Sequence, residues 1–371
     1  MTGALLAALM AAAASGRAPA TSAPACLPAT AAPGLGAVDP FHAPDPKATE
    51  LNSAGKSYYR DGKWEEARIE YRAAEKADPT FLAPRLNVAC SFVRQERFAE
   101  ATAEVEALLS KAYVPWAREV LEAADLGALK PRPEMVRIRT AMAKAAAAWG
   151  GDLDGAVLFV GRARAPLRIP PTGAGFFIIN PHQEVYAFLP ATGRFRQLTN
   201  EDGRVVAMLP APGGRRILYV VADKLIRGAK EGDLALRGVA IAELTLATMS
   251  GETPVRIEGD VRRLEIGSVG AMTLVKVEGD KASGMFRRGE KGALEPLPPK
   301  PGWHGALVLT PRGAEPAPAA PVAAVSGGCR ASAREAAAPG KPRTVVVSAP
   351  GRPPRRIGEQ FGAGLTGLPL P

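Results

Sequence analysis

Between residues 47 and 149, apolar and small side chains recur every three or four positions, which is the spacing of one face of an α-helix. Breaks at Gly62 and at Asp78-Pro79 divide this pattern into short helices joined by tight turns. From residue 150 to residue 371 the apolar positions form short β-branched or aromatic runs bounded by Pro, Gly and Asn, which is typical of strands. The pattern therefore predicts a two-domain chain that is helical first and all-β second.

The strand pattern is clearest in eight runs, at residues 156–160, 175–180, 184–188, 217–221, 239–242, 272–277, 306–309 and 344–347. A low-complexity stretch rich in Ala and Pro, residues 311–342, separates the last run from the others. We expect this stretch to be an insertion in the β domain, with the final strand returning to the domain beyond it.

The helical pattern contains a repeat with a period of 34 residues. A small residue, an aromatic residue and an alanine occupy matching positions in two copies: Gly55, Tyr58 and Ala67, then Ala89, Phe92 and Ala101. In this respect the two units resemble tetratricopeptide repeats. The resemblance implies a short solenoid of stacked helical hairpins, in which small residues allow the helices of a hairpin to approach closely.

The second copy departs from the repeat pattern in two places. Arg85 occupies the position of the apolar Leu51, and Pro115 comes two residues after Tyr113, where the closing proline is expected. Further helices are predicted at residues 116–129 and 131–149. Because a stacked array needs a cap for its apolar end, we expect these helices to supply it.

In the β domain, residues 193–220 resemble a blade of the TolB-type β-propeller family. The resemblance rests on the segment Gly193-Arg194-Phe195-Arg196-Gln197-Leu198-Thr199-Asn200 and on the turn Pro212-Gly213-Gly214-Arg215 that precedes a strand. Similar segments at residues 251–259 and 351–358 follow at uneven intervals. The resemblance implies a partial propeller of at most about four blades, and an irregular β-sandwich is the alternative.

The amino-terminal composition predicts export from a bacterial cell. An apolar run at residues 4–14 is too short to span a bilayer and is followed by small residues suited to signal-peptide cleavage. We therefore predict a signal peptide at residues 1–20, a disordered linker at 21–46 and a periplasmic or secreted protein. A lipid anchor at Cys26 is the less favoured variant, because Ala, Pro and Ala before it form a poor lipobox.

Charge and rare residues point away from several classes of function. The net charge is +10, but the arginines are scattered or paired, without the dense runs and stacking aromatics of a nucleic-acid site. The three histidines and three cysteines show no metal-ligand spacing and no disulfide framework. Motifs for a catalytic serine, a phosphate-binding loop or a zinc protease are absent from the sequence. We therefore predict no cofactor, no metal, no nucleic-acid partner and no enzymatic activity.

The first helix of each hairpin lines the groove of a tetratricopeptide array, so the resemblance places five side chains there: Asn52, Lys56, Tyr59, Arg60 and Arg94. Asn52, Lys56 and Arg60 have the chemistry to hold a peptide carboxylate through charge-assisted hydrogen bonds. Their order differs from that of the dicarboxylate clamp of the family, so a clamp for a C-terminal peptide is not predicted. The alternative is that each residue is only solvated polar surface.

These observations predict a non-enzymatic interaction or scaffold protein of the cell envelope that binds a protein or peptide partner through the helical groove. The alternative is a hydrolase or carbohydrate-binding β domain that carries the helices as an accessory module. The sequence leaves the oligomeric state open.

Overall fold

The structure is a computed structural model that describes residues 44–151, 153, 156–162, 183–189, 194–211, 216–227, 234–251, 254–269, 272–289, 293–311, 313–316, 330–334, 344–348 and 355–357. Within these residues, helices come first and antiparallel sheets follow, which confirms the predicted order of a helical and a β region. The signal peptide predicted at residues 1–20 and nearly all of the predicted linker lie outside the described residues.

Residues 44–151 form six α-helices and one 3₁₀ helix: α1 (Pro46–Arg60), α2 (Trp64–Ala77), α3 (Ala83–Arg94), α4 (Phe98–Lys111), α5 (Tyr113–Glu122), the 3₁₀ helix (Ala124–Leu129) and α6 (Pro133–Gly151). Helix α1 packs against α2, α2 against α3, and α3 against α4, so the first four helices form two stacked hairpins. Among the described helices, none has the length and apolar character required to cross a membrane.

The first hairpin closes around a glycine. A Cβ atom on Gly55 of α1 would lie 2.5 Å from ring atoms of Tyr71 of α2, a distance that side chains do not adopt. The Tyr71 ring, only 1% exposed, therefore packs directly against the α1 backbone. The turn between the two helices contains Gly62 at φ +75°, a conformation that favours glycine. Gly55 belongs to the 34-residue repeat, and Gly62 is the break that divides the helical pattern.

Arg85, which departs from the repeat pattern, belongs to an ion-pair network at the surface between the hairpins. Its guanidinium donates to Glu75 of α2 and, at 3.2 Å, to Glu104 of α4. Arg72 of α2 binds the same two carboxylates. Charged groups thus link α2, α3 and α4, and two cations share two carboxylates in a half-buried position.

The later helices form a third layer on these hairpins. Helix α6 packs against α4 and α5, and the 3₁₀ helix packs against α3. The helices predicted at 116–129 and 131–149 are therefore present, but with different limits, since α5 begins at Tyr113 and the segment after Ala123 is a 3₁₀ helix. Leu126, Leu129 and Ile138 from this layer are fully buried and complete the helical core.

The β region contains nineteen strands among its described residues: β1 (Val157–Arg162), β2 (Gln183–Leu189), β3 (Arg194–Gln197), β4 (Val205–Pro210), β5 (Arg216–Val221), β6 (Lys224–Arg227), β7 (Leu234–Arg237), β8 (Ala240–Thr245), β9 (Ser250–Gly251), β10 (Val255–Arg256), β11 (Asp260–Val269), β12 (Met272–Gly279), β13 (Ser283–Arg288), β14 (Leu294–Leu297), β15 (Leu307–Thr310), β16 (Gly313–Pro316), β17 (Arg330–Arg334), β18 (Thr344–Ser348) and β19 (Arg355–Ile357).

These strands form four antiparallel sheets, and the chain enters the third sheet with β6 and β7 before it returns to the second with β8. The first sheet has the order β1-β2-β3, and the second has β10-β8-β5-β4 with β9 beside β8. The third has the order β14-β13-β12-β11-β15-β16, with β7 beside β11 and β6 beside β7, and the fourth has β17-β18-β19. The described strands do not close into a barrel.

The predicted strands are confirmed in seven of the eight runs, and the eighth, at residues 175–180, lies outside the described residues. Several strands have no clear sequence pattern, because polar residues interrupt them, as in β3 and β11. Two short strands, β16 and β17, lie inside the low-complexity stretch at 311–342 and pair with β15 and β18.

The helices and the first two sheets share one hydrophobic core. Trp149 near the end of α6 belongs to the same cluster as Leu158 and Val185 of the first sheet and Tyr219 of the second. The opposite face of the second sheet packs on the third sheet. The second sheet therefore lies between the helices and first sheet on one side and the third sheet on the other.

Candidate functional site

Two sets of hydrogen-bonded side chains join α1, α3 and the 3₁₀ helix. Asn87 of α3 donates its Nδ2 to the Oδ1 of Asn52 of α1 at 2.8 Å. Arg94 of α3 donates its Nε to the Tyr59 hydroxyl of α1 at 2.9 Å and also forms an ion pair with Asp125 of the 3₁₀ helix. We call the surface formed by Asn52, Tyr59, Asn87, Arg94 and Asp125 the inner face.

Three of the five residues predicted to line a groove, Asn52, Tyr59 and Arg94, belong to the inner face. The other two, Lys56 and Arg60, lie beside it on α1, because positions 52, 56 and 60 are successive turns of one helix. Both side chains are exposed, and the Arg60 Nε donates to the backbone oxygen of Lys56 at 3.3 Å. Within residues 44–151 neither forms an ion pair.

The residues of the inner face contact one another. Asn52 is only 4% exposed, and its side-chain oxygen is engaged by Asn87. The Arg94 guanidinium is shared between Tyr59 and Asp125, and the Tyr59 ring also contacts the Trp64 ring edge-on at a centroid distance of 4.9 Å. Lys56 and Arg60 add exposed cationic groups beside this surface.

Burial raises the pKa values of one residue of the inner face, Tyr59, and of Cys90 on α3. Burial raises the pKa of Tyr59 to about 12, and the charge of Asp125 acts in the same direction, while the hydrogen bond from Arg94 opposes it. Burial likewise raises the pKa of the Cys90 thiol to about 12. Cys90 is therefore a neutral thiol at physiological pH, and a thiol in this state is a poor nucleophile.

The buried carboxylates of the third sheet and its neighbour are matched by cations. Glu243 of β8 is bound by Arg216 and by Arg288, which links the second sheet to the third. Glu265 of β11 accepts hydrogen bonds from Arg263 at 3.0 Å, Lys276 at 3.3 Å and the Gly305 amide at 3.2 Å. Burial alone would raise the pKa of Glu265, but these donors outweigh it and hold the pKa below its ordinary value.

These carboxylates have the surroundings of structural ion pairs. Within the part of the chain that the structure describes, no group of three His, Cys, Asp or Glu side chains is arranged to hold a metal ion.

Two residues of the inner face could not be identified from the sequence. Asn87 lies one position after Leu86, the residue that matches Asn52 in the 34-residue repeat. Asp125 lies in the irregular segment after the second repeat, where the repeat gives no expectation for single residues. An acidic residue close to a 3₁₀ turn was the only available signal, and this feature is too common to indicate a site.

Comparisons with known proteins find little similarity. No model of a protein family matches the chain, and no curated protein matches its sequence. Among solved structures, the crystal structure of TolB from Acinetobacter baumannii aligns over 63% of this chain and 70% of its own, with 12% identity and a TM-score of 0.20. A TM-score this low does not establish a common fold.

Proposed function

We propose that this chain is an exported, non-enzymatic interaction protein of the bacterial cell envelope that binds a protein or peptide partner on the inner face of its helical region. In this proposal the stacked hairpins are tetratricopeptide-like repeats, and the β region is a propeller-like scaffold beside them. The export signal is the apolar segment at residues 4–14. The periplasm or the cell exterior is the proposed location.

The observation that carries this proposal is a fixed polar surface with two accessible cations at its edge. A rigid surface loses little conformational entropy on binding, which favours affinity. The Lys56 ammonium and the terminal guanidinium nitrogens of Arg60 are exposed donors, whereas Arg72, Arg85 and Arg94 are already paired. Carboxylate groups of a partner would therefore form charge-assisted hydrogen bonds with Lys56 and Arg60.

Replacing both cations, Lys56→Ala and Arg60→Ala, is expected to weaken binding of the partner about tenfold or more. Each charge-assisted hydrogen bond contributes about 1.5 kcal/mol or more, and about 1.4 kcal/mol corresponds to a factor of ten in affinity. The measurement is quantitative capture of envelope proteins by the immobilised full chain, followed by titration of the captured partner.

The matched control changes the same two residue types on helices that do not line the inner face. Lys76→Ala on α2 and Arg139→Ala on α6 remove two exposed charges and should leave binding unchanged. Equal loss in both double variants would indicate a non-specific effect of net charge, and no loss in either would reject the inner face as the binding surface.

A further inference from the structure

The turn at residues 199–203, between β3 and β4, is built around a buried carboxylate of β2. The Glu184 Oε1 accepts hydrogen bonds from the amides of Glu201 and Gly203, both at 2.7 Å. Its Oε2 accepts from the Thr199 hydroxyl at 2.6 Å, and the same hydroxyl oxygen accepts from the Val185 amide at 2.9 Å. One carboxyl group therefore fixes the backbone on both sides of the turn.

The same turn connects the β region to helix α5. Arg118 of α5 donates to the Asn200 carbonyl at 3.1 Å and to the Asp202 carboxylate at 2.7 Å. The Asn200 side chain donates to the Pro115 carbonyl at 3.4 Å. A change in how firmly Glu184 holds the turn would therefore reach α5 through two residues of the turn.

Glu184 lacks the cationic partners that the buried carboxylates of Glu243 and Glu265 have. It is 5% exposed, and its hydrogen-bond donors are two amides and a hydroxyl, all neutral. Within the described residues, no Lys, Arg or His side chain forms an ion pair with it. A desolvated charge without a counter-ion is costly, and the neutral form relieves that cost.

The charged groups around Glu184 do not provide a counter-ion. The Glu201 carboxylate, which faces it from the turn, accepts a hydrogen bond from Tyr219 of β5 at 2.7 Å. Arg204 binds Asp223 at 2.8 Å and lies 3.9 Å from Glu201, while Arg118 binds Asp202. Arg196 of β3 lies on the opposite face of the first sheet, where its guanidinium covers the Trp149 ring.

Burial raises the pKa of Glu184 to about 7 from its ordinary value of 4.5, and the charge of Glu201 adds to the shift, while the three hydrogen bonds oppose it. The carboxyl group is therefore protonated in mildly acidic solution and ionised in mildly alkaline solution. When protonated, Glu184 keeps Oε1 as the acceptor for both amides and can donate its proton to the Thr199 oxygen.

We propose that Glu184 is a proton-controlled latch between the helical and β regions. The protonated carboxyl holds the 199–203 turn against α5, and loss of the proton weakens both the closed turn and its contact with α5. Opening of the turn admits water to the carboxylate, which stabilises the ionised form. Higher pH therefore favours the open turn.

The size of the effect follows from proton linkage. In the closed turn the Glu184 carboxyl has a pKa of about 7, whereas in an open, hydrated turn its pKa returns to the ordinary value of 4.5. Between pH 6 and pH 8 the opening equilibrium of the turn therefore rises about tenfold. Below the ordinary value both states are protonated and pH has no further effect.

The test is hydrogen exchange of the full chain at pH 6 and pH 8, corrected for the intrinsic pH dependence of exchange. We expect protection of the turn amides of Glu201 and Gly203 to fall about tenfold at the higher pH, with a parallel fall in α5. Glu184→Gln retains an acceptor for both amides but does not ionise, so its protection should be the same at both pH values.

Two further variants distinguish the latch from a general effect of pH. Glu119→Gln removes an exposed charge from α5 and should behave like the unmodified chain. Arg118→Ala should leave the pH response of the turn intact but reduce the response of α5, because only the hydrogen bond from Asn200 to the Pro115 carbonyl still links the two. The proposal is overturned if corrected protection of the turn is the same at both pH values, or if Glu184→Gln shows the pH response of the unmodified chain.

Discussion

Replacing Gly150 by alanine is expected to lower the free energy of unfolding by about 3 kcal/mol. A Cβ atom at this position would lie 1.7 Å from the carbonyl oxygen of Leu246 and 2.8 Å from its carbonyl carbon. These are backbone atoms of the short 3₁₀ turn after β8, so the clash cannot be relieved by rotating a side chain. Chemical denaturation followed by circular dichroism measures the change.

Gly151 provides the matched control, because it is the next residue of the same helix and, among the described residues beyond its chain neighbours and its own helix, no atom lies within 4 Å of its Cβ position. Gly151→Ala should change the free energy of unfolding by less than about 1 kcal/mol, with helix propensity in its favour. Equal stability of the two alanine variants would contradict the close contact between Gly150 of α6 and Leu246 of the β region.

Trp149→Ala, the second substitution with a large expected effect, should lower the free energy of unfolding by about 3–5 kcal/mol. The ring is 2% exposed, its Nε1 donates to the Gln197 carbonyl at 2.8 Å, and the Arg196 guanidinium lies 5.1 Å from the ring. Arg196 also donates to the Trp149 carbonyl. The substitution therefore leaves a cavity between α6 and the first sheet and removes a hydrogen bond.

Trp149→Phe separates these contributions, because it keeps most of the buried ring and loses the hydrogen bond. Trp149→Phe should lower the free energy of unfolding by about 1–2 kcal/mol. In each Trp149 variant the helical signal and the tertiary signal of the β region should still disappear in one transition, because both regions share the core that Trp149 fills. Two separate transitions would contradict a shared core.

Much of the fold could be predicted from the sequence, because the features concerned are local. The spacing of Gly55 and Ala67 defines a close-packed hairpin without any knowledge of its neighbours. Runs rich in β-branched residues likewise identify strands such as β5 and β12. Strand β11 was missed because Arg262 and Arg263 break its apolar pattern at a bulge, and the bulge depends on pairing with β12.

The site was predicted less completely, because its contacts join distant residues. Asn52 and Asn87 are 35 positions apart, one more than the repeat period, so the repeat does not pair them. Arg94 was predicted on the groove, but its partner Asp125 lies 31 residues further on, in a segment without a repeat. The Trp149 junction was also unpredictable, since it forms only when the first sheet has assembled beside α6.

The most direct test of the proposed function is site-specific photo-crosslinking in a bacterial host that expresses the full chain. A photoreactive amino acid at Ser53, an exposed position one helical turn before Ser57 and beside Lys56 and Arg60, samples the edge of the inner face without removing either cation. The same amino acid at Ile69, 62% exposed on α2, samples a surface away from it. Partner binding on the inner face predicts a discrete protein adduct from position 53 and none from position 69. Adducts of equal yield from both positions, or from position 69 alone, would contradict it.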